Sequence, residues 1–323
     1  MRRATELLRA GEVVALPTET VYGLAANALD AKAVAKIFQI KGRPANNPII
    51  IHVAGNEMAQ RCVNGWSELA AKLAKSFWPG PLTLVLPRAN GIPDIVTGGG
   101  ATVGVRWPGH PFIQAVIREC GFPLAAPSAN LSNQISPTNA EHVRARLAEK
   151  VTLIVDGGQS QVGIESTVLD LTVSPPRILR PGMIHAESLA AVCGEIQSPE
   201  SIPPAGQNPE PLLRSPGLLP KHYSPKAKLL VLRWHDDAEL KSQLLVRHWS
   251  PVACFIIAHT KIPAGESFAD VSVMPHDAEA FARALYAELH RCDAAGAAVI
   301  AVEAPPAARE WSGIADRLRR AAA

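Results

Sequence analysis

The chain has few cysteines and places them far apart. Cys62, Cys120, Cys193, Cys254 and Cys292 are odd in number and include no Cys-x-x-Cys pair, which disfavours both a disulfide framework and a zinc module. No stretch reaches the ~18 uninterrupted apolar residues of a membrane span, and no apolar h-region follows Met1, so the expected location is the cytoplasm, away from membranes. Charge bias is missing as well. Of 323 residues 32 are Lys or Arg and 29 are Asp or Glu, a net charge of +3. The signs stay balanced, 18 against 16 through residue 200 and 14 against 13 beyond it, so neither half is a polybasic arm. Any nucleic acid would have to be held by a local basic patch. Nor is there a Gly-x-x-x-x-Gly-Lys-Ser/Thr loop, a Gly-x-Gly-x-x-Gly after a strand, a Gly-x-Ser-x-Gly elbow or a His-Glu-x-x-His pair, and the usual nucleotide, hydrolase and zincin templates fail with them.

What is present is an ordinary globular balance, 47% hydrophobic and 19% charged, in a chain long enough for two domains. Short β-rich runs at 13–16, 49–53, 82–86, 102–107, 123–126, 151–155 and 167–171 read as strands. Helical spacing recurs at 31–40, 67–77, 111–120 and 139–149. The alternation implies an α/β sheet, and connections such as 155 to 167 to 177 are too short for a crossover helix, so the sheet should be mixed. Between Pro199 and Pro225 eight prolines fall in 27 residues, a composition that reads as an extended linker. Beyond it, strands at 228–232, 252–258 and 298–302 alternate with helices at 238–247, 278–290 and 310–320, as in a small βαβ-type domain. The expected boundaries are 1–198, a linker 199–227, and 228–323.

Five polar clusters sit where strands or helices end, the place where open α/β sheets bind ligands. Pro17-Thr18-Glu19-Thr20-Val21-Tyr22-Gly23-Leu24 follows the first strand; it could hold a small polar ligand or only cap a helix. Lys41-Gly42-Arg43-Pro44 closes the 31–40 helix, and its two cations could converge on a polyphosphate or simply favour the helix C-terminus. His52 stands in the strand that follows. Arg106, on the face of its strand shared with Thr102 and Gly104, needs an anion: a carboxylate ligand, or a structural Asp or Glu. Ser128-Ala129-Asn130, then Ser136, follow another strand, and Glu165-Ser166-Thr167 with Arg180-Pro181-Gly182 make the fifth. Together they collect Lys41, Arg43, Arg106 and Arg180 among many hydroxyls, with no carboxylate pair, Ser-His-Asp set or Cys-His pair. That balance suits a phosphate-rich ligand and a second anion better than hydrolysis by a protein nucleophile.

In this order, the 17–24 cluster, Lys41-Gly42-Arg43-Pro44, Asn47-Pro48, His52, Arg106-Trp107-Pro108, Ser128-Ala129-Asn130 and Ser166-Thr167 closely resemble the YrdC-like threonylcarbamoyl-AMP synthases over about residues 5–195. The proline-rich segment with Ser215-Pro216-Gly217 and His222-Tyr223-Ser224-Pro225 resembles the family's two-domain long form, although Leu218-Leu219-Pro220 replaces its usual Met and aromatic residue. The resemblance implies a twisted open mixed α/β sheet followed by a smaller Rossmann-like α/β domain. It implies synthesis of L-threonylcarbamoyladenylate and pyrophosphate from L-threonine, bicarbonate and ATP, with Mg²⁺ and no organic prosthetic group or protein metal centre. The adenylate would pass to partner proteins that modify tRNA, and direct contact with tRNA or double-stranded RNA is open. Carried over residue by residue, Thr20, His52, Arg106, Ala126 and Ser166 would meet threonine. Arg43, Asn47, Thr102, Ser128, Ser136 and Arg180 would meet ATP, with Tyr223 closing over the nucleotide, and Lys41, Arg43, Ser128 and Asn130 would carry the reaction. No residue is named for carbamate formation.

Two other readings compete. A non-catalytic RNA-binding module would use the four cations on phosphates. A carbamoyl-adenylate enzyme of hydrogenase maturation would carry Cys-x-x-Cys zinc modules, which this chain lacks.

Overall fold

The alternation of β-rich and helical runs is realised as two compact units in a computed structural model, which describes residues 1–197, 215 and 221–323. One unit comprises Met1–Ser132 and Ser136–Leu218, the other Asn133–Ile135 and Leu219–Ala323. Most of the proline-rich segment lies outside the described residues.

The first unit carries strands β1 (Val14–Leu16), β2 (Gly23–Asn27), β3 (Ile51–His52), β4 (Leu82–Pro87), β5 (Thr102–Arg106), β6 (Leu124–Ala125), β7 (Leu153–Ile154), β8 (Thr167–Asp170) and β9 (Arg177–Arg180). Its helices are α1 (Arg2–Arg9), α2 (Ala31–Lys41), α3 (Asn56–Cys62), α4 (Glu68–Phe77), α5 (Asp94–Thr97), α6 (Pro111–Cys120), α7 (Ala140–Leu147) and α8 (Ala186–Cys193). The nine strands form one sheet in the order β7-β1-β2-β6-β3-β5-β4-β8-β9. It is mixed, as the short connections require: β3 runs parallel to β5, β4 parallel to β8, and β1–β2 and β8–β9 are antiparallel pairs. One large apolar cluster packs Val34, Ile37, Ile51, Leu73, Leu84 and Val105, and a second joins Leu8, Val14, Ile113 and Leu124. The strands β1, β3, β6 and β8 are buried along their whole length, whereas β5, β7 and β9 keep half-exposed positions.

Several elements carry little sequence signal. Strand β2 reads Gly-Leu-Ala-Ala-Asn, without one β-branched residue, and is formed by its neighbours β1 and β6 rather than by propensity. Helices α3 and α8 are short. Where caps are present the boundaries are sharp: Asp30 accepts from the N–H groups of Lys32 and Ala33 to start α2, and Asn139 accepts from His142 N–H to start α7.

The second unit has strands β10 (Lys228–Leu232), β11 (Cys254–Ala258), β12 (Asp270–Val273) and β13 (Val299–Glu303), with α9 (Asp237–Val246), α10 (Ala278–Ala294) and α11 (Ser312–Ala321). The sheet is parallel, in the order β10-β13-β11-β12. Strand β12, half-exposed and with a single apolar alternation, is absent from the sequence reading.

Candidate functional site

Gly42, at φ 59°, ends α2 in the left-handed region that glycine enters without penalty. Lys41, the last helical residue, is 3% exposed. Its ammonium donates to Ser128 O at 2.5 Å, Asn130 O at 2.6 Å and Asn130 Oδ1 at 3.3 Å. Nζ thus reaches three acceptors on residues 128 and 130, and the Lys-x-Arg and Ser-x-Asn motifs are one physical unit. Burial, then the Arg43 charge, holds the Lys41 pKa well below that of an ordinary lysine, while Glu165 pulls the other way.

Arg43 shapes the loop that follows. Its Nε donates to Asn47 O at 3.1 Å and its Nη2 to Asn47 Oδ1 and Pro48 O, both at 2.6 Å. Two of its forked nitrogens therefore fold the 44–48 loop, an engagement the sequence did not reveal. Asn47 is 1% exposed, and its Nδ2 is enclosed without a hydrogen-bond partner.

The loop between β1 and β2 presents the second group. The Thr18 hydroxyl accepts from the N–H groups of Thr20 and Val21 and donates to Val21 O at 2.6 Å, a Ser/Thr-type turn. Since that uses its one proton, Thr20 is the donor in the 2.9 Å contact between the two hydroxyls, and Thr20 in turn accepts from Arg106 Nη1 at 2.9 Å. Arg106, 3% exposed, also donates through Nε to Gly80 O at 3.2 Å. Its Nη2 lies 2.6 Å from Glu19 Oε1, an ion pair in distance but without hydrogen-bond alignment. Of the two anions the sequence allowed for Arg106, the protein itself supplies one.

His52, opposite Arg106 in the parallel β3–β5 pair, is 4% exposed, and its Nδ1 has no partner. Burial and the neighbouring Arg106 charge push its pKa down to about 3, against a smaller opposing hydrogen bond with Ile50, so the ring is neutral at physiological pH. Ala126, 6% exposed, donates its N–H to Ile50 O at 3.2 Å.

A third group forms on β8 and β9. Arg180 donates from Nε and Nη2 to Ser166 O, at 3.1 and 3.0 Å, and from Nη2 to Ser166 Oγ at 3.2 Å; Ser166 Oγ meets Thr83 Oγ1 at 2.8 Å. The register shifts beside Val168, the residue opposite Arg180, and such bulges re-aim side chains. Ser136 donates to Glu165 Oε1 at 2.5 Å. Gly182 closes the loop: a Cβ there would lie 2.6 Å from Thr167 N and 2.8 Å from Glu165 O. Gly182→Ala is therefore expected to destabilise the chain by about 1–3 kcal/mol, read as a lower denaturant midpoint at unchanged slope.

These contacts thus join Lys41 to Ser128 and Asn130, Arg43 to Asn47, Arg106 to Thr20 and to its strand neighbour His52, Ser136 to Glu165, and Arg180 to Ser166. Thr102, half-exposed, stands about 13 Å along β5 from Arg106. Tyr223 is carried by the second unit. There, at φ 63°, its ring stacks on Tyr286 at 6.0 Å, meets His222 edge-on at 4.0 Å and lies 5.3 Å from the Arg317 guanidinium. The sequence places Thr18, Glu19 and Glu165 inside polar clusters but gives them no role, and Thr83 carries no signal at all. Among the described residues no group of three or more His, Cys, Asp or Glu is placed to hold a metal ion, and no helix is long and apolar enough to cross a membrane.

Comparison with known proteins bears on the family and the fold. A family model described as telomere recombination, the Sua5/YciO/YrdC domain, matches residues 6–182, and one described as the threonylcarbamoyl-AMP synthase C-terminal domain matches residues 184–323. The chain is 41% identical to the threonylcarbamoyl-AMP synthase of Pyrococcus abyssi over 99% of its own length and 93% of that protein. It is 47% identical to that of Bacillus subtilis over 71% of its length and 65% of the relative. The crystal structure of P. abyssi Sua5 complexed with L-threonine superposes with a TM-score of 0.90 at 39% identity, covering 99% of this chain and 93% of that one. Motif order, sheet topology and full-length similarity agree, and the chain belongs to the threonylcarbamoyl-AMP synthase family, in the form that joins a YrdC-like domain to a Sua5 C-terminal domain.

Proposed function

We propose that the protein is a threonylcarbamoyl-AMP synthase, joining L-threonine and the adenylyl part of ATP through a carbamate and releasing pyrophosphate. The observation that carries this is the pairing of two groups in one unit, Thr20–Arg106–His52 and Lys41–Ser128–Asn130. They match an amino acid and a nucleoside triphosphate. Threonine carbamate is an anion attacking a phosphorus that is itself negatively charged, so the site's task is to position two anions and offset their charge as pyrophosphate leaves.

Bicarbonate is proposed as the carbon source. Mg²⁺ is proposed to arrive with ATP, because an ion held by phosphate oxygens and water needs few protein ligands. Arg43, Asn47, Thr102, Ser128, Ser136 and Arg180 are proposed to meet ATP, and Ala126 and Ser166 to complete the threonine pocket. Tyr223 is proposed to contact the nucleotide, and partner proteins to use the adenylate on tRNA. The division at 1–198, 199–227 and 228–323 is kept as the proposed domain plan. An RNA-binding module is the weaker reading, because Lys41, Arg43, Arg106 and Arg180 are all at most 9% exposed and a duplex needs an exposed stripe.

Pyrophosphate release with ATP, Mg²⁺ and bicarbonate tests the proposal. Release should depend on L-threonine, with L-serine a poor substitute, because a pocket rejects the smaller analogue by about 10–200-fold per missing methyl group. Release indifferent to threonine would return the RNA-binding module to first place.

A further inference from the structure

Around Thr20 the protein encloses polar groups whose hydrogen-bonding capacity it does not use. Both carboxylate oxygens of Glu19 are buried without a hydrogen bond, and so are Arg106 Nη2 and His52 Nδ1. Glu19 and Arg106 face each other at 2.6 Å without alignment. Buried groups of this kind are expensive unless something supplies their partners. A hydroxylated α-amino acid carries a matching set. Its carboxylate can accept from Arg106, its hydroxyl can meet the neutral His52 ring, and its ammonium needs an anion. Thr20, His52, Arg106, Ala126 and Ser166 contain none; Glu19, one residue from Thr20, is one.

We propose that Glu19 receives the α-ammonium of the threonine substrate and takes one of its protons, freeing the amine that forms the carbamate. This rests on the synthase reading above. Glu19 takes one proton from the ammonium and becomes a carboxylic acid. The released nitrogen lone pair forms an N–C bond to bicarbonate, the C–OH bond breaks, and the hydroxide leaves as water with a second nitrogen proton. Carbamate and water result, and Glu19 returns its proton to solvent, so atoms and charge balance. Glu19 is well held for the task. Its backbone carbonyl accepts from Val162 N–H at 2.7 Å, and a Cβ at Gly109 would come within 3.4 Å of its carboxyl carbon. The charged and titratable groups around it are Arg106 from β5 and His110 at the N-cap of α6; the Glu19 charge raises the His110 pKa against the larger effect of burial, which lowers it. His52 stands opposite Arg106 on the neighbouring strand β3.

The test compares Glu19→Gln with wild type in threonine-dependent pyrophosphate release between pH 7 and 9, at saturating ATP and fixed total bicarbonate. Loss of a proton acceptor is expected to slow the variant by about 10²–10⁴ at pH 7. The deficit should shrink about tenfold per pH unit as solution supplies the free amine. Bicarbonate speciation affects both proteins alike and cancels in the ratio. Glu19→Asp, which keeps the carboxylate, should retain at least a tenth of the rate with the wild-type pH profile, and it decides the matter if the Gln variant fails to fold. A Gln variant at the wild-type rate, a deficit constant across pH, or an Asp variant as slow as the Gln variant throughout would overturn the assignment, the constant deficit leaving Glu19 only to orient Arg106. Wild-type protein that ignores threonine would instead remove the synthase reading, and this inference with it.

Discussion

Arg43→Ala and Lys41→Met are each expected to lower threonine-dependent pyrophosphate release by about 10²–10³, the scale of losing one preorganised charge-stabilising group or its geometry. The two should fail differently. Arg43 holds the 44–48 loop by three bonds to Asn47 and Pro48, so its removal releases the loop as well as the charge. Arg43→Lys should not restore activity, because an ammonium cannot reproduce a planar fork. Lys41 ties the end of α2 to the 128–130 segment through two backbone carbonyls and one side-chain oxygen. Lys41→Met preserves the apolar stem but removes the donor these acceptors share, and an acceptor left buried without one costs about 1–3 kcal/mol. Its loss of rate should therefore come with a lower melting temperature. Steady-state rates and thermal unfolding of the two variants check this together, and an Arg43→Lys enzyme with wild-type turnover would refute the fork argument.

The second large effect is acid sensitivity centred on His52. In the unfolded chain the imidazole titrates near its ordinary 6.5, whereas burial and Arg106 push it down to about 3 in the folded protein. Between those values the unfolded state binds a proton that the folded state refuses, so stability falls as pH falls through that window. At 1.36 kcal/mol per pH unit the loss from this residue is about 2 kcal/mol by pH 5 and approaches about 5 kcal/mol at pH 3. Lys41 acts in the same direction at higher pH, since its lowered pKa makes the folded state bind its proton more weakly than the unfolded chain does. Denaturant unfolding of wild type and His52→Gln from pH 7 to pH 4 separates the two residues. The substitution removes the His52 contribution, so its stability curve should be flatter in acid, and parallel curves would show that His52 does not titrate in this window.

How much was legible in advance follows from the kind of interaction involved. Helix α2 was readable from Val34, Ile37 and Phe38 on one face and from Gly42 behind Lys41, because helical periodicity and the left-handed cap are local. The mixed sheet followed from connection lengths alone. Strand β2 was not readable: Gly-Leu-Ala-Ala-Asn has no β preference, and its partners β1 and β6 are set by the whole sheet. Within the site, Lys41, Arg43, Arg106 and Arg180 were marked by the question of what could neutralise a cation at a strand end, and Ser128 and Asn130 by the family motif. Which anion meets Arg106 was open, since a buried arginine accepts a protein carboxylate and a ligand carboxylate equally well.

By itself, then, the sequence determined the α/β class, the order of the clusters along the chain, the cations proposed here to serve anionic substrates and the family. Those follow from short-range periodicity, from composition and from motif spacing, all written within a few residues. Tertiary structure alone decided that Lys41 bonds to Ser128 and Asn130, that Ser136 pairs with Glu165, and that Glu19 and Arg106 face each other with unused hydrogen-bonding capacity. These contacts span 29 to 89 residues of chain. They form only because the sheet order places strands distant in sequence side by side, and no local pattern records which strand will be the neighbour.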